Sequence, residues 1–158
     1  DSLENIVVNK LLKKKLSIAS AESCTGGLIG HRITQVSGSS GVYKGGVVAY
    51  SNQAKLNQLH VRKETLDKYG AVSEQVASEM ASQVKNIFGS DIGVSVTGIA
   101  GPGGGTKEKP VGLVYVGISN SNEVTTKKFN FHSDRESNKV RTSQAVLNLI
   151  MKNISNNE

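Results

Sequence analysis

The stretch 17-SIASAESCTGGLIGHRIT-34 changes its periodicity partway along, and that change decides the fold. Up to Glu22, the small and apolar residues Ile18, Ala19 and Ala21 make a short run that predicts a buried strand. Beyond it, Leu28, Ile29, Ile33 and Val36 recur at helical spacing. The intervening 22-ESCTGG-27 is therefore a strand-to-helix corner, the repeating unit of an α/β protein.

The flanks fit the same scheme. Leu3, Ile6, Val7 and Leu11 predict a helix over 3–15, closed by Lys13, Lys14 and Lys15 where cations offset the carbonyl end of the dipole. After the turn 37-SGSSG-41, residues 45–50 read as a strand, and Ser51 or Asn52 can cap the helix that follows. Residues 68–73 form a turn, with Ser73 capping a helix over 74–88 whose core stripe is Val76, Met80, Val84 and Ile87. Strands follow at 91–98 and 111–119, separated by the glycine-rich loop 99–110. Residues 123–131 make a hairpin partner through a turn at 119–122. Ser133 and Glu136 form a capping box for a last helix with Val140, Leu147, Ile150 and Ile154 on its apolar side. The tail 155-SNNE-158 is expected to fray. The expectation is one α/β domain over 1–158, a three-layer α/β/α sandwich around a central mixed sheet.

A chain of 158 residues buries about 70% of its unfolded surface, enough for a core without disulfide or metal. No apolar run approaches the roughly 18 residues of a membrane span. The lone Cys24, and a start without a basic-then-apolar leader, fit a reducing, cytoplasmic setting. The net charge of +6 is scattered outside the lysine run, and no aromatic-studded basic strand accompanies it. That pattern argues against nucleic acid as the main ligand. No metal-ligand spacing occurs, so neither metal nor other cofactor is expected. A homo-oligomer stays open.

Two features could carry chemistry. The loop 98-GIAGPGGGTKEKP-110 fits neither the phosphate-loop pattern nor the dinucleotide fingerprint, because Lys107 follows Thr106 and a strand comes next. Its glycines would still let backbone N–H groups crowd a ligand at the end of a buried strand. The other feature is Ser23, close to a helix start where free N–H groups favour an oxyanion. On spacing alone, a helix cap explains Ser23 or Thr25 better than a nucleophile does. Cys24 is intrinsically the better nucleophile, whereas unpaired cysteines usually serve as buried small hydrophobes. His31 lies about two turns along from Ser23, too far for a base, and no serine–histidine–acid set stands out. A neutral buried lysine is the other common activator. Tyr50 and Lys55, at the end of the second strand and in the next helix, could converge on the same crevice, although taken singly a strand aromatic and a solvated helix lysine explain them better.

The segments 21-AESCTGGLIGHRIT-34, 37-SGSSGVYKGGVVAYSNQAK-55, 71-AVSEQVASEMA-81 and 96-VTGIAGPGGGTKEKPVGLVYVGI-118 closely resemble the C-terminal domain of the competence-damage-inducible protein family, CinA. They follow the family's order and cover nearly the whole chain. The resemblance implies a three-layer α/β/α fold and hydrolysis of nicotinamide mononucleotide to nicotinic acid mononucleotide and ammonia. It implies Ser23 as nucleophile, Lys55 and Tyr50 as catalytic partners, and Thr97 as a substrate or active-site contact. Under the same reading, N–H groups of Cys24, Thr25, Gly26 and Gly27 would hold the oxyanion, while Gly101, Gly103 and an arginine would take the nucleotide. Arg141 is the best match to the family's substrate-binding arginine, though Arg135 and Arg141 lie farther apart than the family's two late arginines. The alternatives are a non-catalytic nucleotide-binding module tied to competence or DNA damage, and an amidase for another amide.

Overall fold

Five strands, β1 (Ile18–Glu22), β2 (Tyr43–Val48), β3 (Ile92–Gly98), β4 (Leu113–Ser119) and β5 (Val124–Asn130), form one sheet in the order β2-β1-β3-β4-β5. The computed structural model describes residues 2–156. β1 pairs in parallel with both β2 and β3, whereas β4 and β5 pair antiparallel, so the sheet is mixed. The chain leaves β1 in one direction to form β2 and returns on its other side as β3. The carboxyl ends of these three strands thus meet at a topological switch point, where open α/β sheets form crevices.

Six helices cover the two faces: α1 (Leu3–Lys14), α2 (Leu28–Thr34), α3 (Asn52–Leu59), α4 (Lys63–Tyr69), α5 (Glu74–Phe88) and α6 (Arg135–Asn156). α1, α2 and α6 pack together on one side, and α3 and α4 pack on α5 on the other. β1 feeds both cores by alternation, with Ile18 on the α1/α2/α6 side and Ala19 and Ala21 on the α5 side. α5 lies close against the sheet because its neighbours there are glycines. A Cβ at Gly93 would run into the Ala81 carbonyl oxygen, and one at Gly117 would stand 2.5 Å from that of Ala77. The architecture is the expected α/β/α sandwich. No described helix is long and apolar enough to cross a membrane.

Several local expectations are corrected. The segment after Ser51 forms two helices, because His60 adopts a left-handed conformation (φ 54°) at the end of α3 and Leu59 and Val61 on either side are buried. Asp134, not Ser133, begins α6: its carboxylate accepts from the Ser137 N–H at 2.8 Å, which holds it below the usual carboxylate range. Ile87 and Val140, expected on buried faces, are about half exposed. Of the tail expected to fray, Ser155 and Asn156 still belong to α6, and the last two residues lie outside the described residues.

Candidate active site

Ser23 follows β1 directly, and its N–H extends the pairing with β3 by donating to the Val96 carbonyl at 3.1 Å. This fixes the serine at the carboxyl end of β1, the middle one of the three parallel strands, 6% exposed. Ser51 caps α3 by accepting from the Ala54 N–H, and the helix then turns Lys55 and Leu59, four residues apart, to one buried face. Lys55 is 2% exposed. Its Nζ lies 3.0 Å from Ser23 Oγ, 3.1 Å from the Ala49 carbonyl oxygen and 3.4 Å from that of Tyr50.

Those three neighbours suit a neutral amine. Nζ stands as donor to all three oxygens; in the neutral amine the two carbonyls keep its two N–H bonds and the lone pair is left for the serine hydroxyl. None of the ion pairs among the described residues gives the lysine a carboxylate partner. Burial accordingly pulls its pKa below the ordinary lysine value, because charging it would leave an ammonium in a poorly solvating site. The same burial acts oppositely on Cys24. Desolvation pushes the thiol up to about 12, so at neutral pH Cys24 holds its proton and serves as a 7% exposed core residue.

The corner between β1 and α2 is organised by Glu22, a residue that the motif reading passed over. Its buried carboxylate accepts from the Thr25 hydroxyl (2.6 Å) and from the N–H groups of Gly27 (3.2 Å), Ile29 (2.9 Å) and Gly30 (3.0 Å). The negative charge expected at the start of α2 is thus supplied by the protein itself. The Gly26 N–H donates to the Ser23 carbonyl. Of the four N–H groups expected to hold an oxyanion, Gly26 and Gly27 are therefore engaged. The Cys24 N–H faces its own thiol, and neither it nor the Thr25 N–H has an acceptor in another residue among the described residues. The available signal was an acid ahead of a helix with no Asp or Glu in its own first turn.

Ser23, Cys24, Tyr50, Gly101, Gly103 and Arg135 line one cleft of about 260 Å³. Tyr50 is 59% exposed, and its phenol oxygen accepts from Arg135 Nη2 at 2.8 Å, while only its backbone carbonyl touches Lys55. Arg135 Nη1 donates to the Gly101 carbonyl at 2.6 Å. Arg135, not Arg141, is the arginine in the cleft; Arg141 is exposed on α6 and acts on Asp134. Thr97 is buried, and its hydroxyl donates to the Ala71 carbonyl at 2.8 Å. Larger clefts exist, including one of about 480 Å³ beside Asp91 and Asn120 at the opposite end of the sheet. None of them holds a serine hydroxyl against a buried amine; the one lined by Thr65 and Glu79 pairs a threonine hydroxyl with a carboxylate. No group of three or more His, Cys, Asp or Glu is arranged to hold a metal among the described residues.

Comparison with known proteins places this geometry among relatives. The profile of the family described as CinA C-terminal domain matches residues 1–154. A CinA-like protein of Kosmotoga olearia is 54% identical over 149 residues, covering 94% of this chain and 36% of that protein. One from Chlorobaculum tepidum is 54% identical over 151 residues, covering 92% of this chain and again 36% of its own length. The chain therefore spans little more than a third of the curated relatives it matches. Among solved structures, the competence/damage inducible protein CihA of Agrobacterium tumefaciens superposes with a TM-score of 0.93 at 38% identity, covering 95% of this chain and 92% of that one. A CinA superfamily protein of Klebsiella pneumoniae gives 0.94 at 30% identity, with 98% and 96% covered.

Proposed function

The chain belongs to the CinA C-terminal domain family, and from that premise we propose that it is a serine-dependent amidase acting on nicotinamide mononucleotide. The observation that carries this reading is the buried Lys55 amine 3.0 Å from the Ser23 hydroxyl, with no carboxylate ion-paired to it among the described residues. A site that only bound a nucleotide would gain nothing from a nucleophile held against a base with a depressed pKa.

In the proposed reaction, Lys55 takes the Ser23 proton as Oγ attacks the carboxamide carbon. The carbonyl electrons move onto oxygen, where the N–H groups of Cys24 and Thr25 stabilise the charge. Each such donor is worth about 3 kcal/mol of barrier. The Lys55 ammonium returns its proton to the departing nitrogen, and ammonia leaves an ester on Ser23. Water then attacks that ester with Lys55 again as base, releasing nicotinic acid mononucleotide and the free serine. Tyr50 acts through Arg135 on the substrate side, and its carbonyl holds the lysine.

Ammonia release from nicotinamide mononucleotide tests the reading. Ser23→Ala is expected to lower kcat by at least about 10⁴-fold, as removal of a serine nucleophile does elsewhere, while Cys24→Ala retains activity. A wild type that binds the nucleotide without releasing ammonia would favour the non-catalytic reading. Release from a different amide alone would move the substrate and keep the chemistry.

A further inference from the structure

Asn138 is polar and 1% exposed, and its hydrogen bonds go to neither Ser23 nor Lys55. It lies in the first turn of α6, where its N–H donates to the Asp134 carbonyl. Its side-chain amide donates twice: to the Ala100 carbonyl at 3.0 Å and to the Ser133 carbonyl at 2.9 Å. One amide thus ties the glycine-rich loop to the segment that delivers Arg135. The next carbonyl of the loop, that of Gly101, is held from the same helix by Arg135 Nη1. Asn138 Oδ1 is the one buried side-chain oxygen or nitrogen without a partner among the described residues. An apolar residue would avoid that cost, so the two donated bonds must outweigh it.

The direction of those bonds has a consequence in the cleft. The Ala100–Gly101 peptide is trans; the cis bond is the next one, Gly101–Pro102. In a trans peptide the C=O and N–H point opposite ways. With the Ala100 carbonyl drawn onto Asn138, the Gly101 N–H is turned away from α6. Gly101 lines the cleft beside Ser23, and no bond from its N–H to an acceptor is found among the described residues. Its φ of 90° is a conformation that glycine accepts readily.

We propose that Asn138 is a positioning residue: it sets the Ala100–Gly101 peptide so that the Gly101 N–H serves as a fixed donor to an oxygen of the bound substrate. The substrate group is an acceptor oxygen, such as that of a phosphate, a ribose hydroxyl or the carboxamide. The assignment of nicotinamide mononucleotide rests on the preceding reading; the positioning of the loop does not.

Two measurements on Asn138→Ala and Asn138→Asp test it. The first is ligand-free: ¹⁵N relaxation of residues 100–104. The wild-type loop is expected to be as rigid as β3, with order parameters near 0.85, and to fall below about 0.6 in both variants. The second compares KM and kcat for nicotinamide mononucleotide with the rate at which a small fluorophosphonate labels Ser23. KM is expected to rise about tenfold or more while labelling stays within about twofold of wild type, since Ser23 and Lys55 are held by β1 and α3. The Asp variant is expected to recover partly as pH falls, when its protonated acid can donate one of the two bonds. Unchanged order parameters, or labelling lost in step with KM, would overturn the proposal. If the wild type leaves the nucleotide intact, the substrate reading fails and the relaxation result still decides the role of Asn138. Should the Ala variant fail to fold, the isosteric Asp variant supplies both readouts.

Discussion

Arg135 Nη2 donates to the Tyr50 phenol at 2.8 Å, joining a residue just beyond β2 to the first residue of α6 across the cleft. The phenol is engaged at the cleft, while Lys55 meets Tyr50 only at its backbone carbonyl, so in the proposed reaction the phenol stands apart from the proton transfer. Tyr50→Phe should therefore raise KM about two- to tenfold, the worth of one ordinary hydrogen bond, and leave kcat within about twofold. Combined with Arg135→Ala it should add little, because both remove the same link. A large fall in kcat for Tyr50→Phe would instead give the phenol a part in proton transfer.

Lys55 makes both rate and stability depend on pH. Its pKa is depressed in the folded protein, so the reactive neutral form grows as pH rises through that value. Between the folded pKa and the ordinary lysine value the unfolded chain binds the extra proton, and stability rises with pH across that window. Lys55→Met should lower kcat/KM about 10²–10⁴-fold, the usual contribution of a general base. It should also flatten the rise in Tm with pH, without lowering Tm at pH 7. Thermal melts from pH 6 to 10 on both proteins check this.

Glu22→Gln keeps the shape of the corner and replaces an acceptor oxygen by a donor facing N–H groups. Loss of a charge-assisted hydrogen bond together with a mispaired donor should cost about 1.5–3 kcal/mol by denaturant unfolding. Fluorophosphonate labelling of Ser23 should slow as well, because Thr25 and Gly27, which follow the serine, lose their anchor.

Cys24 should resist alkylation. With its thiol at about 12 and 7% exposed, iodoacetamide at pH 8 should modify it at least about 10²-fold more slowly in the native protein than in denaturant. Rapid native labelling would reopen the choice between the two neighbouring nucleophiles.

The elements that depend on local pattern were legible in the sequence. The strand before Glu22, the cap at Ser73 with its N–H bond from Val76, and the 119–122 turn appear where periodicity and capping chemistry put them. Lys55 was legible as a candidate because Ser51 starts a helix right after a strand. What chose it over a solvated lysine was burial against Ser23, a contact across the sheet that no local pattern encodes. The failures share that character. The break at His60 follows from Leu59 and Val61 both reaching the α5-side core, which a continuous helix would not permit. Arg135 enters the cleft because Asp134 starts α6 immediately before it, so Arg141 falls more than one turn farther along the helix. Glu22 carried a signal, an acid ahead of a helix with none in its own first turn, but which N–H groups it accepts from is set by how tightly the corner closes.

The sheet order separates two inheritances. Ser23, Lys55 and the carbonyls that hold the lysine all arise between β1 and α3, within the first 59 residues. Of the cleft walls, Tyr50 comes from the first half, while 98–104 and Arg135 come from the second and are stitched to each other through Asn138 and Arg135. Under the proposed reading, substitutions in those later segments change which substrate fits the cleft and leave the Ser23–Lys55 contact in place.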